Sequence, residues 1–156
     1  LLPSLFSSFF LTLPLSDEAR QKMASLTPVV KERMKVLGDV VELSRFLFEE
    51  PTYEDVTLFA AKGVELPVAY DALQRAYEVL KKGFADKKET QLIEEELTEL
   101  AQQLGVKVNA VFMPIRVALT GSTVSLPLFD SIGLLGQDKT GARIENALAI
   151  LKRGVV

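Results

Sequence analysis

Apolar residues recur every three or four positions through most of this chain, and no stretch of five or more residues alternates cleanly between apolar and polar. This period places apolar side chains on one face of an α-helix, whereas a half-buried strand needs a period of two. Two consecutive stretches show the pattern most clearly: Ile93, Leu97, Leu100, Leu104, and then Val108, Phe112, Ile115, Leu119. The spacing predicts an all-α fold of about seven or eight short helices.

Capping and breaking residues predict where these helices begin and end. Ser16 followed by two acidic residues indicates a helix start, and Thr27-Pro28 indicates a second. Gly38-Asp39 predicts an interruption between two short helices. Further signals predict a short helix over 53–62, an Asp86 N-cap with Glu89 three residues later, helix ends at Gly105 and Gly121, and a turn over 138–141.

The length and composition fit a small folded unit. The chain has 156 residues, of which 48% are hydrophobic and 25% charged, as in ordinary globular domains. The natural boundary lies near residues 83–87 and predicts an N-terminal helical subdomain over 16–85 and a C-terminal one over 86–156. Residues 1–15 are apolar or hydroxylic, lack the basic start of a signal peptide and are too short to span a bilayer. We therefore expect a helix or loop cut out of a longer parent, with its apolar side packed on the rest of the domain, and no membrane partner.

The residue types exclude several kinds of chemistry. The chain contains no Cys and no His, so it has no disulfide framework, no thiolate metal site and no imidazole base. Any catalysis would have to use carboxylates, Lys, Tyr or Ser. The carboxylate cluster over 94–99 faces away from the apolar stripe and is interpreted as a solvated face, so we expect no catalytic site and no metal site. The lack of Cys fits a reducing compartment. The net charge of −3 argues against sequence-blind nucleic-acid binding. However, residues 106–156 carry six basic and three acidic side chains, so the C-terminal third is mildly basic.

Residues 112–122 combine features that suggest a binding site. Pro114 lies within a predicted helix and removes a backbone donor. Arg116 and Thr120 are four residues apart and share a face away from the apolar stripe. Ser125 is the predicted N-cap of the next helix, whose free N–H groups would favour an acceptor or anion. From the residues alone two interpretations stay open: Arg116 holds a ligand, or it caps the carbonyls freed by Pro114.

The same region carries a family resemblance. Met113 to Ser122 reads MPIRVALTGS, followed by Leu128-Phe129, Leu134-Leu135-Gly136 and the run from Arg143 to Leu148. This order resembles the C-terminal anticodon-binding domain of bacterial-type glutamyl-tRNA synthetases. Residues 32–37 and 45–48 resemble the helix pair that opens that domain. The likeness runs from about residue 25 to the end and is weakest between 50 and 105.

The resemblance implies a helical cage of two small subdomains that grips the anticodon loop of glutamate tRNA. Proteins generally read such loops through splayed, single-stranded bases. By position, Arg33 falls on a residue linked to the third anticodon base, and Arg116 falls on an arginine that reaches the loop. The implied anticodon-binding set is Arg33, Arg116, Thr120, Ser125, Leu126 and Leu128, the last three at the first base. Leu126-Pro127 departs from the commoner Pro-then-Gly order of the family.

The resemblance also implies a longer parent, a cytoplasmic class I glutamate-tRNA ligase. Its upstream domains would hold ATP and Mg, with no cofactor in this chain, and residues 1–15 would be a remnant of the connection to the stem-contacting domain. The histidine-containing class I signatures cannot lie here, since the chain has no His. We expect a monomer that binds tRNA without aminoacylating it. The alternatives are a helical protein-protein interaction module, in which Arg116 only caps, and a small carboxylate enzyme.

Overall fold

The computed structural model describes residues 16–31 and 37–155. All regular secondary structure in these two ranges is helical, which confirms the all-α prediction. Two short 3-10 helices occupy Arg45–Leu47 and Val56–Phe59. The α-helices are α1 (Asp17–Lys31), α2 (Leu37–Ser44), α3 (Leu66–Ala85), α4 (Thr90–Leu104), α5 (Val108–Thr120), α6 (Leu128–Leu135) and α7 (Gln137–Val155).

Three of the predicted boundary signals are confirmed. The backbone N–H of Ala19 donates to Oγ of Ser16 at 3.2 Å, so Ser16 caps the start of α1. Gly105 and Gly121 follow the ends of α4 and α5 with φ values of 68° and 72°. These left-handed conformations carry little steric cost for glycine. Pro114 lies inside α5, as predicted.

Two predicted breaks near the N-terminus are wrong. The Thr27-Pro28 pair does not start a helix, because α1 continues through it to Lys31. A proline in a helix loses one backbone hydrogen bond, and here α1 ends only three residues later. Gly38-Asp39 does not interrupt a helix but lies in the first turn of α2. A first turn has N–H groups without intrahelical partners, and it favours an acidic side chain.

Three other local predictions are wrong, at residues 53–62, Asp86 and 138–141, because tertiary packing determines the backbone conformation there. Instead of a helix over 53–62 there is one 3-10 turn at Val56–Phe59, capped by Asp55 and followed by extended Ala60. Asp86 follows the C-terminus of α3, and the extended residue before α4 is Glu89. Residues 138–141 are helical because they form the first turns of α7 rather than a separate turn.

The core is built around α3, α5 and α7, which pack against one another. Fully buried alanines on α3, at Ala69, Ala72 and Ala76, let the neighbouring helices approach its backbone closely. The buried apolar side chains of both halves form one cluster from Leu26 to Leu151. The core is therefore continuous across the boundary predicted near residue 85, and the division into two subdomains stays a prediction. This packing brings the C-terminal end of α5 beside the segment that follows α2.

Candidate functional site

The C-terminal end of α5 is held by side chains from distant parts of the chain. The last four carbonyl groups of any helix lack intrahelical donors and need other partners. The carbonyl oxygen of Val117 accepts the N–H of Gly121 at 2.8 Å. That of Ala118 accepts the hydroxyl of Tyr53 at 2.5 Å, and that of Leu119 accepts Nη1 of Arg143 at 2.7 Å. The turn that follows α5 is thus anchored at a fixed place.

Arg143 is a buried cation on α7, with 3% of its surface exposed. Besides Leu119, its Nη1 donates to the carbonyl oxygen of Phe46 at 2.7 Å. Its Nη2 donates to the carbonyl oxygen of Glu49 at 3.3 Å, and its Nε lies 3.5 Å from a carboxylate oxygen of Glu50. One guanidinium therefore joins the end of α5 to the segment 46–50. Burial of a charge is tolerable here because main-chain dipoles and a carboxylate surround it.

A groove of about 980 Å³ lies beside this junction. One wall comes from residues 39–52 and the other from residues 120–125, and we call them the 39–52 wall and the 120–125 wall. The groove is lined by Asp39, Glu42, Leu43, Arg45, Phe46, Glu49, Glu50, Pro51, Thr52, Thr120, Gly121, Ser122, Val124 and Ser125. The two walls are far apart in sequence, so the groove exists only in the folded chain.

The 120–125 wall is ordered by its own hydroxyl groups. Oγ1 of Thr120 donates to the carbonyl oxygen of Arg116 at 2.8 Å and accepts the N–H of Ser122 at 3.2 Å. Oγ of Ser122 accepts the N–H of Val124 at 3.1 Å. Side chain to backbone bonds of this kind stabilise tight turns. They leave Val124 at the tip, with 72% of its surface exposed beside the groove.

The charged groups that the described residues place along the groove are mainly acidic. Among the residues that the structure describes, the lining includes four carboxylates, on Asp39, Glu42, Glu49 and Glu50, and one cation, Arg45. Nη2 of Arg45 lies 2.6 Å from the carboxylate of Glu42, and this exposed pair leaves a net negative wall. Phosphate groups would be repelled there at close range. Carboxylates can instead accept hydrogen bonds from amino groups on the edges of nucleobases.

The structure places the sequence-predicted residues at different depths. Thr120 and Ser125 line the groove together. Arg116 is half-buried on α5, one turn before Thr120, and its Nε is buried. The side chains of Leu126 and Leu128 are 0% and 4% exposed and belong to the core, so a ligand could meet this stretch only through backbone or neighbours. Arg33 lies outside the described residues.

The prediction that Ser125 caps the next helix is wrong. The residue before α6 is Pro127, and Oγ of Ser125 donates to the carbonyl oxygen of Leu126 at 2.8 Å. The sequence analysis also did not predict that Tyr53 and Arg143 donate to carbonyl groups at the end of α5. A signal for Arg143 existed, because it lies four and eight residues before buried Ala147 and Leu151 and hence on the apolar stripe of α7. An arginine on such a stripe must find acceptors in the interior.

The residues that the structure describes contain no group of three or more acidic side chains placed to hold a metal ion. None of their helices is both long enough and apolar enough to cross a membrane.

The structure of a glutamate tRNA ligase from Elizabethkingia meningosepticum, determined with its amino acid bound, shares this fold. It aligns with a TM-score of 0.71 and 24% identity, covering 96% of this chain and 28% of the ligase. Sequence relatives are closer. A glutamate–tRNA ligase from Roseiflexus sp. (strain RS-1) is 37% identical over 138 residues, covering 88% of this chain and 27% of the relative. A glutamate–tRNA ligase from Treponema denticola is 35% identical over 136 residues, covering 86% of this chain and 26% of the relative.

The chain thus spans about a quarter of the length of these curated relatives. The resemblance stated from the motif around Arg116 is confirmed by them. The sequence profile of a family described as an anticodon binding domain matches residues 2–148. That match takes in both walls of the groove and nearly the whole chain, and the chain belongs to this anticodon-binding domain family.

Proposed function

We propose that this chain binds the anticodon loop of glutamate tRNA, as the anticodon-binding part of a glutamate-tRNA ligase. The observation that carries the proposal is the groove, whose 120–125 wall contains Thr120 and Ser125, two of the residues predicted to meet the loop. The family match and the names of the relatives support the same ligand. Residues 120–125 are ordered by internal hydrogen bonds, so little ordering entropy is lost on binding.

The chemistry of the groove suits nucleobases better than the phosphate backbone of RNA. Its volume of about 980 Å³ is at the upper end of the roughly 300–1,000 Å³ typical of small-ligand sites. More than one unstacked base can therefore enter it. Because the 39–52 wall is acidic, we infer that base edges enter the groove while the phosphates stay outside it. The half-buried Arg116, one turn below Thr120, would meet the loop from the side of α5.

We assign aminoacylation to the rest of the longer protein, where ATP and Mg would bind. This chain would recognise tRNA without charging it, in the cytoplasm and as a monomer. Arg33 would read the third anticodon base, which is C in glutamate anticodons and G in glutamine anticodons. A purine there would leave buried arginine donors unpaired, at a cost of about 1–3 kcal/mol. We therefore propose that glutamate tRNA is preferred by roughly tenfold or more.

The test is a titration of the chain with a fluorescent anticodon stem-loop of glutamate tRNA. Saturable binding that falls when the anticodon bases are scrambled supports the proposal. A second stem-loop, with G in place of C at the third position, tests the preference, and Arg33→Gln should abolish it. Lack of affinity for the stem-loop would favour the alternative of a helical protein-protein interaction module. Equal affinity for the two loops would remove Arg33 from the site but leave anticodon-loop binding intact.

A further inference from the structure

One buried guanidinium joins the 39–52 wall to the end of α5, from which the 120–125 wall continues. Phe46, Glu49 and Glu50 belong to the 39–52 wall, and their carbonyl or carboxylate oxygens face Arg143. Leu119, the residue before the 120–125 wall, gives the same guanidinium its carbonyl oxygen. Nη1 is shared equally, at 2.7 Å from Phe46 and 2.7 Å from Leu119. Two bonds to a single nitrogen therefore fix the 39–52 wall relative to Leu119, the residue before the 120–125 wall.

We propose that Arg143 is a positioning residue of the groove: it sets the width of the groove by holding the two walls at one spacing, without touching the RNA. The inference rests on the proposed function, since the groove is taken as the place where the anticodon bases enter. Arg143 would thus contribute to recognition although its side chain is buried in the core. The residue acts through the main chain of the 39–52 wall and through the carbonyl group of Leu119, which precedes the 120–125 wall.

The 39–52 wall depends on such a contact because its own backbone bonds are local. After the 3-10 helix Arg45–Leu47, the N–H groups of Phe48 and Glu49 both return to the carbonyl oxygen of Arg45. These bonds shape the turn but do not tie it to α5. Two side-chain groups reach the end of α5 from other parts of the chain: the hydroxyl of Tyr53 donates to Ala118, and Arg143 on α7 donates to Leu119. Of these two residues, only Arg143 bonds both the 39–52 wall and the residue that precedes the 120–125 wall.

The chemistry requires arginine in particular. A planar guanidinium offers five N–H donors in a fixed fork, so it can serve three carbonyl groups in one geometry. Lysine has a single nitrogen on a flexible stem and would reach only part of this set. The ion pair with Glu50 contributes little by comparison, because the carboxylate is 79% exposed and 3.5 Å away. The main-chain acceptors therefore define the spacing.

The experiment compares Arg143→Met and Arg143→Lys with two controls on the same helix. Arg153→Met removes an exposed arginine and matches the change in charge. Leu151→Ala truncates a fully buried side chain and lowers stability away from the groove. Affinity for the anticodon stem-loop is measured well below the lowest melting temperature of the set. We expect a loss of tenfold or more in Arg143→Met and a smaller loss in Arg143→Lys, with both controls within twofold of the unsubstituted protein.

The spacing itself can be measured, because the chain contains no cysteine of its own. Spin labels on Glu49→Cys and Val124→Cys, one on each wall, give a distance distribution across the groove. It should be narrow in the unsubstituted background and with Leu151→Ala, and broad with Arg143→Met or Arg143→Lys. This readout separates positioning from stability, which the core truncation also lowers. It requires no RNA, so it tests the inference even when the stem-loop does not bind and the proposed function fails.

Each outcome decides the inference. Affinity within twofold for Arg143→Met, or an unchanged distance distribution, overturns it. If Arg143→Met does not fold, Arg143→Lys decides by the same criteria. If neither variant folds, Arg143 is a residue of the folding core and the positioning role is wrong. Weakened affinity with a broadened distribution, in variants that keep their helix content, supports it.

Discussion

The hydroxyl of Tyr53 donates to the carbonyl oxygen of Ala118 at 2.5 Å, although 65 residues separate the two along the chain. The ring of Tyr53 also packs against Phe59, with 5.1 Å between ring centroids. Burial raises the pKa of Tyr53, so the phenol stays protonated and remains a donor. This bond and those of Arg143 together satisfy carbonyl groups at the end of α5, immediately before the groove.

Tyr53→Phe tests the value of this bond while keeping the ring contact. A part-buried carbonyl that loses its partner costs about 1 kcal/mol or somewhat more. For a chain of this size we expect the melting temperature to fall by about 2–4 °C. Tyr70→Phe, which removes the hydroxyl of a partly buried tyrosine on α3, is the matched control. Equal melting temperatures for the two variants would contradict the prediction.

The second prediction concerns Arg116. Arginine contacts to a base are worth about 1–3 kcal/mol, so Arg116→Ala should weaken stem-loop binding by that amount. Helix content should be unchanged, because the carbonyl groups of Ala118 and Leu119 at the end of α5 are held by Tyr53 and Arg143. Circular dichroism and fluorescence anisotropy measure the two effects. A large fall in melting temperature with unaltered binding would instead establish Arg116 as a capping residue.

The helices were predictable because their signal is local. Ile93, Leu97 and Leu100 are all buried on α4, as their spacing requires. Glycine termini were predictable for the same reason, since Gly105 and Gly121 supply the left-handed conformation that ends a helix. The Ser16 cap was also predictable, but the N-cap predictions at Asp86 and Ser125 failed because residue type is a weak guide when packing fixes the backbone conformation. Glu89 and Pro127, not Asp86 and Ser125, precede their helices.

The groove was only partly predictable, because its two walls come from distant segments. Thr120 and Ser125 were found from one stretch of sequence that carries its own motif. The 39–52 wall has no such motif, since Glu49 and Glu50 have the pattern of ordinary surface residues. Arg143 binds main-chain carbonyl groups 94 and 97 residues away. Every residue has such a carbonyl group, so the sequence does not indicate which ones Arg143 will bind. Its importance follows only from the three-dimensional arrangement.

The third prediction concerns pH. Oη of Tyr77 on α3 donates to the carboxylate of Glu145 on α7 at 2.7 Å. Burial and then this bond raise the pKa of Tyr77 from 10 to about 12. The folded chain thus favours the neutral phenol. The resulting stability is fully present below about pH 10 and is lost as the pH rises towards 12.

Urea unfolding at several alkaline pH values measures this contribution. Between pH 10 and pH 12 the free energy of unfolding should fall more steeply in the unsubstituted protein than in Tyr77→Phe. The comparison cancels the titration of lysines and of the other tyrosines, which both proteins share. Parallel curves would show that Tyr77 has the same pKa in the folded and unfolded chains.

The last prediction compares two glycines that end helices in the same conformation. Gly121 has a φ of 72°, and a Cβ built on it would lie 3.3 Å from Cβ of Pro51 and 3.3 Å from the carbonyl oxygen of Thr52. Gly105 has a φ of 68°, and a Cβ there would meet nothing within 4 Å. Alanine at either position pays about 1–2 kcal/mol for the left-handed backbone. Alanine at position 121 must also displace the 39–52 wall.

We therefore expect Gly121→Ala to lower the free energy of unfolding more than Gly105→Ala does. Because Pro51 and Thr52 line the groove, only Gly121→Ala should also weaken binding of the anticodon stem-loop. Urea unfolding and anisotropy titration of both variants give the two differences, with the shared backbone cost removed by subtraction. Equal losses of stability together with equal affinities would mean that residues 51–52 move aside freely, and that the walls are not held at a defined spacing at this point.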